Sequence, residues 1–235
     1  MPSHTFTRLG YWQDSIETNI LSAAAARKVN STYEELHATD YQVYAYLQSG
    51  QDAAARRLVD LAVELFGRVE ARAGAAPPTA GAYALAAIPA RYALERGDWA
   101  GAAKLEVRAT RVAYAEALTW FARAIGASRT GDAATARTAV GELPKLADRL
   151  TSERETYWAE QVTIQKIGAS AWLSLAEGKE AEALAAMRDA ADREDRTEKS
   201  AVTPGPLAPA RELLGEMLME VKQPKAALVD RKSVV

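Results

Sequence analysis

The chain has 235 residues, 29 basic and 31 acidic side chains, a net charge of −2 and no cysteine. That length admits one large domain or one repeat array. The charge balance gives no sequence-independent pull toward nucleic acid, and the lack of cysteine excludes a disulfide framework, a thiolate metal site and a thiol nucleophile. Alanine, leucine, glutamate and arginine are abundant, so helix propensity is high nearly throughout. The start, Met1-Pro2-Ser3-His4-Thr5, lacks the basic head and apolar run of a signal peptide. The longest apolar stretch, Ile20 to Ala26, is too short to span a bilayer. The expected setting is the cytoplasm, with no nucleic-acid or membrane partner; the periplasm stays open if the N-terminus is internal to a longer gene.

In chain order, turn signals divide the helical pattern. Gly10-Tyr11-Trp12 is the first turn. Ser31-Thr32-Tyr33-Glu34 reads as a capping box opening a helix that runs to Ser49. Gly50-Gln51-Asp52 is the second turn, and Ala76-Pro77-Pro78-Thr79 breaks the chain with Thr79 as an N-cap. Gly97-Asp98-Trp99 follows, then a break near Arg108–Thr110, then Gly131-Asp132. Ser152-Glu153-Arg154-Glu155 reads as another capping box, for a helix toward Glu177. Gly178-Lys179-Glu180 is the fifth turn, Thr203-Pro204-Gly205-Pro206 a break, and Lys222-Gln223-Pro224 a sixth turn without glycine.

These turns are in phase with small residues. Five positions after each stand Ser15, Ala55, Ala102, Ala136, Ala183 and Ala227. Seven before the later ones stand Val43, Ala90, Ala124, Ala171 and Gly215, four of the five small. Small side chains at both places let two helices of a hairpin approach closely. Gly97 and Gly131 are 34 residues apart, the tetratricopeptide period.

On these residues the chain resembles the tetratricopeptide repeat family over nearly its full length, with Trp120 and Leu214-Gly215 at places the family pattern expects. Arg123 departs from it, standing where leucine is usual, as do Pro89 in a first helix and turn spacings of 40, 47, 34, 47 and 44. The stretch from Asp195 to Glu220 also looks like bacterial repeat proteins of unassigned function. The resemblance implies an all-α, right-handed superhelical array of five to six antiparallel hairpins in one domain over 1–235, with additive, nearest-neighbour folding. Neither end carries a polar capping unit, which implies a fragment of a longer array or a homodimer that buries the ends.

In that family first helices line the concave face, so residues six, ten and thirteen before each turn are expected in the groove. The first row reads His4, Tyr44, Arg91, Ile125, Trp172 and Glu216. The second reads Asp40, Ala87, Phe121, Gly168 and Glu212, the third His37, Ala84, Leu118, Gln165 and Pro209. Aromatic and arginine anchors suit a peptide. The leading expectation is therefore a non-catalytic scaffold that binds a protein or peptide segment around Arg91, Phe121 and Trp172, with no cofactor. The alternative is a small-molecule or metal sensor at the N-terminal end, with His4, His37, Asp40 and Tyr44. Arg91 could instead pair with Glu95, four residues on. Trp172 is expected to be partly exposed and the other tryptophans mostly core. The run Arg188 to Lys199 reads as a solvated helix end. No Gly-rich phosphate loop, nucleophile elbow, H-E-x-x-H helix or Cys/His pair is present, so no enzyme is expected. Glutamates 212 and 216 are indistinguishable from ordinary helix residues.

Overall fold

The computed structural model describes residues 2–70, 79–198, 200 and 203–232. Among these the chain is all-helical and has no strand. The helices are α1 (Pro2–Arg8), α2 (Trp12–Lys28), α3 (Thr32–Gln48), α4 (Asp52–Glu70), α5 (Thr79–Glu95), α6 (Trp99–Ala103), α7 (Ala113–Arg129), α8 (Ala133–Ser152), α9 (Thr156–Ala176), α10 (Glu180–Glu194), α11 (Ala210–Glu220) and α12 (Pro224–Lys232). None is long and apolar enough to cross a membrane.

The six turns lie where the sequence phase puts them. Gly10, Gly50, Gly97, Gly131 and Gly178 all have positive φ, and so does Lys222, at 61°. Each closes the preceding helix with the same pair of backbone bonds. At Gly97, the Asp98 amide donates to Ala93 O and the Gly97 amide to Leu94 O; at Lys222, Gln223 donates to Leu218 O and Lys222 to Met219 O. This Schellman geometry needs a left-handed residue, which explains the glycines. After two of them the aspartate caps the next helix: Asp98 Oδ1 accepts from Gly101 N at 2.9 Å and Asp132 Oδ1 from Thr135 N at 3.0 Å. The small residues after the turns are all buried.

The odd-numbered helices pack in a continuous row, α1 on α3, α3 on α5, and so on to α11. Each even helix from α2 to α10 packs against the odd helix before it and the one after. Gly126 allows a close crossing of α6 and α7. A Cβ there would lie 2.5 Å from Trp99 O and 2.6 Å from Ala103 N, so α6 rests on the backbone of α7.

Several local expectations differ. Ser31 precedes α3 but makes no side-chain capping bond. Ser152 is the last residue of α8, not a cap of α9; Arg154 takes φ 62° and Glu155 precedes α9. Thr79 is the first residue of α5 rather than its cap, and Ala76-Pro77-Pro78 lies outside the described residues. The break near 108–110 extends from Lys104 to Val112, leaving α6 five residues long. Two arginines explain it: Arg123 donates to Leu105 O at 2.9 Å, and Arg149 to Arg111 O at 2.8 Å. Arg123 thus holds this irregular segment from α7.

The largest apolar core runs from Tyr83 to Ala227, and a smaller one joins Leu36, Val43, Leu65 and Ile88. The seam of α1, α2 and α3 is polar: Thr7 Oγ1 lies 2.7 Å from Ser15 Oγ, and Asn19 donates to Ser15 O at 2.8 Å. Ile20, Leu21 and Val29 near one end of the row and Leu228 and Val229 near the other are exposed. The charged run after Arg188 is not simply solvated. Asp192 and Asp195 both pair with Arg211, and Glu194 accepts from Ala210 N at 2.8 Å, tying α10 to α11.

Candidate functional site

Arg91 is wholly buried on α5. Its guanidinium stands 4.9 Å from the Tyr44 ring and 3.6 Å (Nε to Oδ1) from Asp40, too long for a hydrogen bond. Its donors go elsewhere. Nη1 donates to Pro206 O at 2.9 Å and Nη2 to Gly205 O at 3.3 Å. Tyr83 Oη adds a 3.3 Å bond to Gly205 O. Arg91 therefore holds two backbone carbonyls of its own chain. The expected alternative partner, Glu95, is an electrostatic neighbour and not its main contact.

The clamped segment is the connection between α10 and α11. It reaches three odd-numbered helices: Arg8 of α1 donates to Ser200 O, Tyr83 and Arg91 belong to α5, and Tyr157 of α9 accepts from Ser200 N at 3.0 Å. Leu207 is buried in the large core. Burial raises the Asp40 carboxyl to about 6 despite the pull of Arg91, because the ion pair is long and no water reaches it.

His4 and His37 meet, with Nε2 atoms 3.3 Å apart, and His4 stacks on Tyr41 at 4.6 Å. Burial, and then the N-terminal charge, lower the His37 pKa. Asp40, expected beside them, faces Arg91. Among the described residues no group of three His, Cys, Asp or Glu side chains could hold a metal ion.

The middle of the expected groove is filled by the protein. Arg91, Ile125, Phe121 and Trp172 are at most 2% exposed, and Ala84, Ala87, Leu118 and Gly168 are buried. Trp172 thus reverses the expectation: it is buried, while Trp12, Trp99, Trp120 and Trp158 are half-buried. Gln165 is half-buried with Oε1 unpartnered. Arg129 closes over Trp172, its guanidinium 4.3 Å from that ring and 4.2 Å from Trp99. Sequence reasoning missed Arg129, although it stands two residues before the Gly131 turn and four after the row residue Ile125, on the same helix face.

One open surface remains at this end. A cleft of about 1010 Å³ lies between the C-terminal ends of α5 and α7 and helices α11 and α12. Leu94, Trp99, Met219 and Leu228 supply apolar walls, and Glu95, Glu216 and Glu220 supply carboxylates. Arg129 pairs with Glu216 at 2.7 Å and Glu220 at 3.2 Å, and Arg96 is engaged by Asp52 at 2.8 Å. Burial, with Glu212 and Glu216 nearby, raises the pKa of Glu95 against the pull of Arg91. Acid is in excess. Of the expected row residues, Glu216 lines this cleft and Glu212 is exposed beside it on α11. Comparison of the chain with protein-family models, curated proteins and solved structures gives no match.

Proposed function

We propose that the chain is a non-catalytic scaffold of tetratricopeptide type, a right-handed array of helical hairpins, and that it binds a partner peptide segment in the cleft beside Glu216. The repeated Schellman turns and the row of odd-numbered helices support the stacked-hairpin reading. The observation that carries the site is the pairing of excess carboxylates with exposed apolar side chains, Met219 at 58% and Leu228 at 57%. Charge complementarity then selects the partner: a segment that alternates apolar and basic residues, whose cations offset Glu95, Glu216 and Glu220 while its apolar groups cover Met219 and Leu228.

The centre of the site therefore shifts from Arg91, Phe121 and Trp172 to the end of the row. A labelled hexapeptide of alternating leucine and lysine, titrated by fluorescence anisotropy, tests this. It should bind, its leucine–glutamate counterpart should not, and Glu216→Lys should weaken binding about tenfold. Equal binding of both peptides would sink the proposal.

A further inference from the structure

Because α6 stops at Ala103, the irregular segment from Lys104 to Val112 borders a space lined also by α4, α5 and α7. The arginines from α7 and α8 hold that segment at both ends, so the space behind it is preformed. This cavity, about 250 Å³, has walls that include Val59, Phe66, Leu85, Pro89, Leu105 and Ala115. Tyr33 adds a further wall and packs closely on Gly81, where a Cβ would come within 2.2 Å of its ring. At the density of protein interiors the volume admits a molecule of roughly ten non-hydrogen atoms.

The polar side chains on the wall include Glu106, Arg108, Thr110, Glu116 and Thr119, and Arg108 Nε is buried without a partner among the described residues. Arg108 stacks on Phe66 at 4.5 Å and is neutralised by Glu106 at 2.9 Å. Among the described residues Glu116 accepts two long bonds, from Trp120 Nε1 at 3.4 Å and from Thr110 N at 3.5 Å. Both are near the limit at which a hydrogen bond still contributes. Pro89, inside α5, has no N–H for the carbonyl of Leu85 four residues back. An apolar cavity with an under-bonded carboxylate and a carbonyl lacking its helical donor favours a ligand that donates and carries positive charge.

We propose that this cavity binds a small apolar amine, its ring or branched alkyl body among Val59, Phe66, Leu85 and Leu105 and its ammonium toward Glu116 and the Leu85 carbonyl. The site is separate from the cleft at α11 and α12, and does not depend on it.

Three probes of one shape test the assignment: 2-phenylethylamine, ethylbenzene and 3-phenylpropionate, each at millimolar concentration, read by the shift in melting temperature and by calorimetric titration. The amine should raise the melting temperature in proportion to the logarithm of its concentration, well above either analogue. Glu116→Gln, which keeps an acceptor for Thr110, should weaken the amine about tenfold. Ala86→Phe, which fills the cavity from α5, should abolish binding while leaving Glu116 in place. Equal shifts from the amine and either analogue, a shift retained in Ala86→Phe, or no shift from any probe would overturn the proposal. The comparison among probes uses the unaltered protein and survives any folding defect of the variants.

Discussion

Arg91 holds the carbonyl of Pro206 at 2.9 Å across 115 residues of sequence. The bond joins the third hairpin to the connection before the sixth, and Arg91 is wholly buried where it does so. Its replacement removes two carbonyl bonds and the cation that faces Asp40. Arg91→Met should cost about 3 kcal/mol in urea denaturation. Limited proteolysis should then cut between Ser200 and Pro206 before the helices open. An unchanged denaturation midpoint would show that the clamp contributes nothing.

Asp40 gives this site a pH dependence. Its folded pKa, about 6, lies above the ordinary value of 3.8. Between those values the folded protein binds the extra proton, so its contribution is full below about pH 4 and is lost as pH rises through 6. Asp40→Asn removes that slope. The stability of wild type relative to Asp40→Asn should fall between pH 4 and pH 7 by at most on the order of 3 kcal/mol. A difference that stays level or rises with pH would place the charged carboxylate in a better-compensated site. His37, whose pKa is lowered, acts in the opposite direction below pH 6.5 and is common to both proteins.

Two glycines should fail for different reasons. At Gly126 a new Cβ meets the backbone of α6, which cannot move aside, so Gly126→Ala should cost about 3 kcal/mol. At Gly131 the space is open but φ is 78°. Gly131→Val should cost about 2 kcal/mol through backbone strain. Melting curves in which Gly126→Ala is the milder of the two would contradict the close crossing of α6 and α7.

Arg129 separates stability from binding. Lying between Trp99 and Trp172 and paired with two glutamates, it ties α7 to α11. Arg129→Gln should lower stability by about 2 kcal/mol. It should also tighten binding of the leucine–lysine peptide, because Glu216 and Glu220 lose their internal cation. Weaker binding would mean that Arg129 itself contacts the partner.

The turns were legible because their cause is local. A left-handed residue followed by a helix start leaves glycine and aspartate in the sequence, and the repeat phase even located Lys222 without a glycine. The buried small residues were legible for the same reason. The filled groove was not. Nothing periodic marks the connection from Asp195 to Pro209, and the partner of Arg91 is set by how far that connection folds back. Trp172 carries no sign of burial in its own helix; its cover comes from Arg129 of the neighbouring hairpin. The shortness of α6 was hidden because Leu105 and Val107 continue the apolar pattern while Arg123 and Arg149, on later helices, draw the carbonyls away.

The clasp formed at Ser200 and at Gly205, Pro206 and Leu207 also bears on how the molecule comes apart. In an array whose units touch only their neighbours, hairpins fray singly from either end. Here α1, α5 and α9 each hold the same connection, so loss of the first hairpin loosens the fifth and sixth. Unfolding should then be one concerted step, and deletion of a terminal hairpin should not leave a stable remainder.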